Sequence, residues 1–465
     1  MSEIRRGAIV WRQMSLRVSI ESWREVRRLA GLAAPVAVTQ LLTMLLWTID
    51  LLMVGRIGVL SINAVALGRI WVMGTSICAM GLIFGLDAIA SQAHGARHRK
   101  RLGEVLLHAG ALALAISLPL GALWFFTERI LLLFGQDPAT AALAHRFVVV
   151  QIPGLPFFLL FVALKQYLQA RGIVRPAMWV SAGACGLNAF LNWLLIYGHL
   201  GLPRMGAVGA GVATAITEIA MLAGLLGIIR RFRLQRGAAT VVDLGRLRVK
   251  GLAEILRLGL PVAAMLALEY WAFAISTLWA GRLGSTELAA HSIALNLASI
   301  SYMVPLGIGL GASTRVGNLI GAGEPRAAER AAWVAFALGG GVMACFALVF
   351  IAGRSIIPIA FTSDAAVVAL AATLFPVVAA FELFDGLQVV GSGVLRGMGR
   401  TRPAAVFNLI GYYALGLPLA AWLGRPERMG LVGIWWGLAL GLAVVAALTV
   451  FWIRSRGPAR TRSIL

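Results

Sequence analysis

Twelve long apolar runs decide what this chain can fold into. In rounded limits they cover residues 29–54, 62–90, 104–125, 143–169, 177–199, 206–229, 254–280, 289–313, 328–352, 366–392, 403–423 and 430–453. Each approaches or exceeds the roughly 20 apolar residues that a helix needs to cross a bilayer core. The ten-residue alternation of a membrane β-barrel is absent, so the spans are read as helices. The expected fold is therefore an all-α integral membrane protein of twelve transmembrane helices. Composition agrees, with 60% of the 465 residues hydrophobic and only 13% charged. That is about half the charged share of a soluble chain. Three cysteines are too few for a disulfide scaffold, and the apolar content excludes disorder. Residues 1–28 are polar and basic and the first apolar run is too long for a signal core, so no cleavable signal peptide is expected.

The formal net charge of +22 follows from where the basic residues fall. Of 41 Lys and Arg, 31 lie in residues 1–28, in the even-numbered loops and in the tail, and seven lie in the opposite loops. Arg69, Arg146 and Lys165 are within or near spans. By the positive-inside rule, both termini are expected in the cytoplasm and the chain in the inner (plasma) membrane. The basic residues are dealt out loop by loop rather than gathered in one domain, which argues against nucleic acid as a partner.

The chain also repeats itself. Pro35 with Gly55-Arg56-Ile57-Gly58 matches Pro261 with Gly281-Arg282-Leu283-Gly284 at a shift of 226, and Gly95-Ala96 falls on Gly321-Ala322 at the same shift. Leu168–Ala177 resembles Leu395–Ala404 at a shift of 227, and Gly206–Gly209 falls on Gly430–Gly433 at 224. A duplication of six spans predicts two pseudo-symmetric six-helix bundles in the same orientation around a central cleft, an arrangement typical of secondary transporters. The expected organisation is a basic segment 1–28, a first lobe 29–229, a linker 230–253, a second lobe 254–453 and a tail 454–465. Prolines inside spans, Pro153, Pro156, Pro305 and Pro376 among them, are expected to bend helices.

Six carboxylates lie within spans: Asp50, Asp87, Glu218, Glu269, Glu382 and Asp385. At mid-span each costs about 2.5–3.5 kcal/mol on insertion scales, and such groups face a bundle interior or an aqueous path. The repeat does not preserve them. Asp50 falls on Ser276, Asp87 on Ser313, Glu269 on Thr43 and Asp385 on Phe158, so architecture alone does not require them. Glu269 stands mid-way along its span with no basic residue within a helical turn or two. A carboxylate held away from water takes up a proton or ligates a bare cation. Glu382 and Asp385, three residues apart, share one helix face and would hold a proton or sodium between them; Asp385 is favoured for coupling over Glu382. Asn188 and Asn192 point to one face and, with Asp50, form either a polar proton site or an interhelical hydrogen-bond cluster. Asp87, beside Ser91 and Gln92 at a span end, is read as structural, and Glu218 is left unassigned. Trp47, Tyr270, Phe273 and Phe384 neighbour the acids and are candidates to line a cleft for lipophilic cations. With no GxxxxGK[ST] loop, nucleotide is not an expected partner, and no enzymatic activity or cofactor beyond a coupling ion, H⁺ or Na⁺, is expected.

Four stretches together resemble the multidrug and toxic compound extrusion family over essentially the whole chain. They are Asp50–Gly58, Gly85–Ala96, Arg315–Pro325 and Asp385–Gly397. The resemblance implies two six-helix lobes and antiport of H⁺ or Na⁺ against organic cations or drugs by alternating access. Glu269 and Asp385 look like the acidic pair of the NorM-like branch, where it binds the cation (Na⁺ in a sodium-coupled member), and Asp50, Asn188 and Asn192 match the polar cluster of the first lobe. A branch otherwise similar in that lobe, the DinF-like one, lacks the seventh-span acid. Two other readings are an exporter of one dedicated metabolite and a flippase for a lipid-linked precursor on a related scaffold. The latter would need a large basic cleft. The chain is expected to work as a monomer.

Overall fold

The computed structural model describes residues 2–234 and 244–465; of residues 2–20 and 244 only the backbone is described. The expected linker 230–253 thus lies partly outside the described residues, at 235–243, together with Arg236. Among the described residues every regular element is helical. Eleven helices are long and apolar enough to cross a membrane. They are α1 Ser2–Gly55, α2 Val59–Gly95, α3 Arg99–Phe125, α5 Arg175–Tyr197, α6 Ala207–Arg231, α7 Val249–Leu283, α8 Ser285–Gly321, α9 Pro325–Gly353, α10 Ala365–Gly397, α11 Arg402–Leu423 and α12 Gly430–Arg456. The remaining span, α4, is in two pieces, Pro138–Val149 and Leu155–Ala170. Pro153 and Pro156 lack the N–H groups that would carry the helix through residues 150–154, so α4 breaks there rather than merely bending.

The duplication shows in the backbone. Asp137 caps α4 by accepting from the Thr140 amide at 3.0 Å, and Asp364 caps α10 by accepting from the Ala366 amide at 2.9 Å. These two caps are 227 residues apart. Gly58 before α2 and Gly284 before α8 have φ of 152° and 158°, where an L side chain is strained. One difference between the halves is a π-helical stretch, Leu409–Gly416, inside α11; its counterpart α5 is regular. Gly411 and Gly441 bring α11 and α12 together there, for a Cβ on Gly441 would stand 2.5 Å from the Gly411 carbonyl oxygen.

One apolar core draws chiefly on the first lobe, from Leu46 to Leu225, and another on the second, from Ala272 to Val445. A third crosses between them, setting Leu29 and Ala33 of α1 against Ile308, Ala312 and Val316 of α8. The lobes meet with almost no side chains between backbones. A Cβ on Gly81 would fall 2.4 Å from Ala263 Cα, one on Gly85 2.1 Å from the Ile255 oxygen, and one on Gly307 2.7 Å from the Ala37 nitrogen. Such close approach is what small residues provide between membrane helices. Among the described residues three ion pairs also join the lobes: Glu25–Arg315, with contacts of 2.5 and 3.0 Å, Arg101–Glu254, and an exposed Glu21–Arg330 pair at 3.8 Å. All of these contacts lie on the side of the membrane that carries the described ends of the chain. Among the described residues, the outermost hydrogen bond between lobes is from Tyr270 Oη to the Ile70 carbonyl, 3.1 Å. The contacts between the lobes are therefore concentrated toward the terminal side.

Candidate functional site

Each lobe buries its own polar cluster, and the two are built differently. In the first lobe, α1, α5 and α6 converge near the far side. Asn192 Nδ2 donates to Asp50 Oδ1 at 2.6 Å and to Asn188 Oδ1 at 3.0 Å, and Thr214 Oγ1 donates to Asp50 Oδ2 at 3.1 Å. Asp50 is 3% exposed and the two asparagines are fully buried. Arg69 of α2 acts on Asp50 as a counter-charge, while its guanidinium donates to the Trp47 carbonyl and lies over that indole, 5.9 Å from its centre. So Asp50, Asn188 and Asn192 are brought together, and Trp47 belongs to the same cluster through Arg69. Glu218 lies nearby, its carboxylate against Gly154 at the break in α4.

The second-lobe cluster holds three acids. Glu269 of α7 accepts from Gln388 Nε2 at 3.3 Å and from Asn408 Nδ2 at 3.5 Å, both long bonds. Glu382 Oε2 accepts from Ser301 Oγ at 2.7 Å, and its Oε1 has no hydrogen-bond partner. Asp385 is 3% exposed, and the charges that act on it are those of Glu382 and Glu269. Among the described residues no Lys or Arg forms an ion pair with any of these three carboxylates. Gln388 Oε1 and the Tyr412 hydroxyl are likewise buried without partners. Buried polar atoms without partners are uncommon in folded proteins and call for an explanation. The α11 segment around Asn408 and the π-helical turn carries Tyr412 into this site, an example of local unwinding beside functional groups.

Gln388, Asn408, Tyr412, Ser301 and Thr214 were not among the residues that sequence reasoning singled out. Gln388 carried a usable signal, one turn beyond Asp385 and on the same helix face. The others are single polar residues with nothing in the sequence to mark them. Of the expected aromatic lining, Tyr270 stands at the boundary between the lobes, packed against Gly74. Phe273 instead packs inside the second lobe, edge-on to Phe381 at 5.8 Å and Tyr412 at 6.2 Å, and Phe384 packs against the same core. Among the described residues no group of three or more His, Cys, Asp or Glu could hold a metal ion. A monovalent cation would have to draw on amide and hydroxyl oxygens as well as Glu269 and Asp385.

A third charged group sits in the seal between the lobes. Asp87 accepts from Gln166 Nε2 at 3.1 and 3.2 Å, and the charges of Arg396 and Lys165 act on it. Arg396 was counted with the loop residues from its place in the sequence. It is in fact 4% exposed within α10 and lies over Phe84 of the first lobe, 5.7 Å from the ring centre. The end of α10 is drawn into the molecule by glycine contacts: a Cβ on Gly397 would meet the Ser313 oxygen at 2.4 Å.

Comparison with known proteins agrees with this architecture. A multidrug resistance protein NorM of Burkholderia vietnamiensis is 36% identical over 428 residues, covering 90% of this chain and 91% of its own. Multidrug and toxin extrusion protein 1 of Oryctolagus cuniculus is 33% identical over 417 residues, covering 90% and 72% respectively. The crystal structure of a eukaryotic MATE transporter, AtDTX14, superimposes with a TM-score of 0.86 at 28% identity, covering 95% of this chain and 99% of that one. The MatE family matches residues 35–194 and 261–422, one stretch in each lobe. The chain belongs to the MatE family of membrane transporters.

Proposed function

We propose that the protein exports drugs and other organic cations from the cell by antiport against H⁺ or Na⁺, working as a monomer in the inner membrane with both termini in the cytoplasm. The observation that carries this reading is the second-lobe site. Glu269, Glu382 and Asp385 are buried together with amide and hydroxyl partners and no basic side chain to balance them. Three such groups cannot all be ionised in a low-dielectric interior, so they hold protons or a cation. A cation entering from the far side, where contacts between the lobes are fewer, would reach Glu269 and Asp385 and neutralise them. Neutralisation changes what the helices around α7 and α10 can bond to, and the lobes then close on the far side. Each conformation binds one ligand better than the other, which is the thermodynamic requirement for coupling. The first-lobe carboxylate has Arg69 as a standing counter-charge, and the three second-lobe acids have none, so the second lobe carries the coupling.

Purified protein in proteoliposomes, with pH and sodium gradients imposed separately, tests the reading. One of the two gradients is expected to drive uptake of a fluorescent cationic dye, and reversing that gradient to reverse the flux. Glu269→Gln and Asp385→Asn are each expected to abolish gradient-driven flux. If both variants transport like the parent, the site is wrongly assigned.

A further inference from the structure

The chain beyond α12 folds back across the seal between the lobes. It turns through Pro458–Arg460, with Pro458 and Thr461 buried, and then runs to the end of α2. There Ser463 Oγ donates to Gln92 Oε1 at 3.1 Å, and the Ile464 amide donates to the same oxygen at 2.9 Å. Gln92 belongs to the first lobe and is fully buried. Its Nε2 donates to the Gly397 carbonyl of α10 at 3.0 Å. One first-lobe amide is thus held at both ends by the second lobe. Ile464 adds an apolar contact at the same place: a Cβ on Gly399 of the second lobe would meet Ile464 Cγ2 at 3.1 Å and Ala88 Cβ of the first lobe at 3.8 Å.

We propose that residues 457–465 form a strap that holds the cleft shut on the terminal side and must release Gln92 whenever the lobes part there. The inference rests on the alternating-access reading above. Opening on the terminal side separates Gln92 from Gly397 and from Gly321, where a Cβ would lie 2.0 Å from the Gln92 backbone carbonyl oxygen. The strap is continuous with α12 and moves with the second lobe, so it cannot follow Gln92 without leaving Gly399. Its two hydrogen bonds exist only in the far-side-open state, and they bias the equilibrium toward that state. Neutral bonds of this kind shift a two-state population by about tenfold when both are lost. The strap therefore sets how much of the protein rests ready to take a cation from the far side.

The full chain in nanodiscs, spin-labelled at Lys100 and Arg400, reports the separation of the lobes on the terminal side; both residues are exposed and on opposite lobes. Ser463→Ala combined with Ile464→Pro removes both donors without touching either polar cluster. The expected result is about a tenfold larger population at the longer distance. A distribution identical to that of the parent overturns the proposal. A second variant works in the opposite direction: Ala88→Cys with Ile464→Cys, in a chain whose Cys78, Cys185 and Cys345 are replaced by Ala. Oxidation should stop gradient-driven dye flux and reductant should restore it, whereas full flux with the cross-link shown to be formed overturns the strap. A parent distribution that no ion gradient or dye can move would sink alternating access itself, a different result from a variant that matches its parent.

Discussion

Asp50 and Glu269 are both buried carboxylates, but the structure assigns them different work. Asp50 has Arg69 as counter-charge and two donors, the Asn192 amide and the Thr214 hydroxyl, so its loss leaves a half-buried guanidinium and both donors without their partner. Asp50→Asn is expected to cost roughly 1–3 kcal/mol of stability, and adding Arg69→Gln should recover part of that cost, because breaking a pair is worse than removing it. Thermal melts of the detergent-solubilised variants measure this directly. Glu269→Gln is isosteric and removes a charge that no basic group balances, so it should leave the melting temperature unchanged or higher while abolishing coupling. Equal destabilisation by the two substitutions would show that the lobes do not divide their roles in this way. The acids were legible in the sequence because a carboxylate in an apolar run is costly and the duplication marks it as unneeded by architecture. Asn408 and Tyr412 were not legible, since an uncharged polar residue in a membrane helix usually does no more than bond a neighbour, whereas Gln388 is marked by its place one turn beyond Asp385. Arg396 was misplaced for a related reason. A linear count puts it past the end of a span, but the close packing of Gly393 and Gly397 against α8 carries that turn into the seal.

At the scale of elements, α2 and α7 meet through Gly81, Gly85 and Gly259, whose neighbours within 3 Å are chiefly backbone atoms that cannot move aside. Gly85→Val should therefore prevent closure on the terminal side and lower dye efflux about tenfold or more, since a bulky side chain on this surface costs 1–3 kcal/mol. Gly227→Ala is the control, because nothing lies within 4 Å of a Cβ there. Efflux from cells expressing each variant at matched levels decides the matter, and equal activity of the two would mean that the contact is not part of the working cycle. The spans themselves were readable from their apolar length. The break in α4 was foreshadowed by Pro153 and Pro156, though only as a bend. The π-helical turn of α11 had no sequence signature, because it arises from how Gly411 and Gly416 seat against Gly441 of α12.

For the whole molecule, the sequence repeat implied two bundles around a cleft but not on which side the contacts between them would gather. That choice is made by contacts that are weak one by one and distributed over the interface, which a pattern of apolar runs does not encode. Glu25 and Arg315 are the clearest of them, a two-pronged pair only 12% and 21% exposed that ties α1 to α8. Paired guanidinium and carboxylate groups of this geometry are stronger than ordinary surface ion pairs. Because both partners keep some contact with water, their net contribution is about 1 kcal/mol, or a several-fold change in the balance between the two conformations. Glu25→Arg alone places two like charges in the seal and should move the population toward opening on the terminal side. Arg315→Glu alone should do the same. The exchange of both residues should restore the parental distribution of distances between labels on Lys100 and Arg400. Restoration is the decisive result: it shows that the pair acts through attraction between the lobes. If the double exchange stays as open as either single variant, packing by Leu29, Ala33 and their partners on α8 holds the seal without electrostatic help.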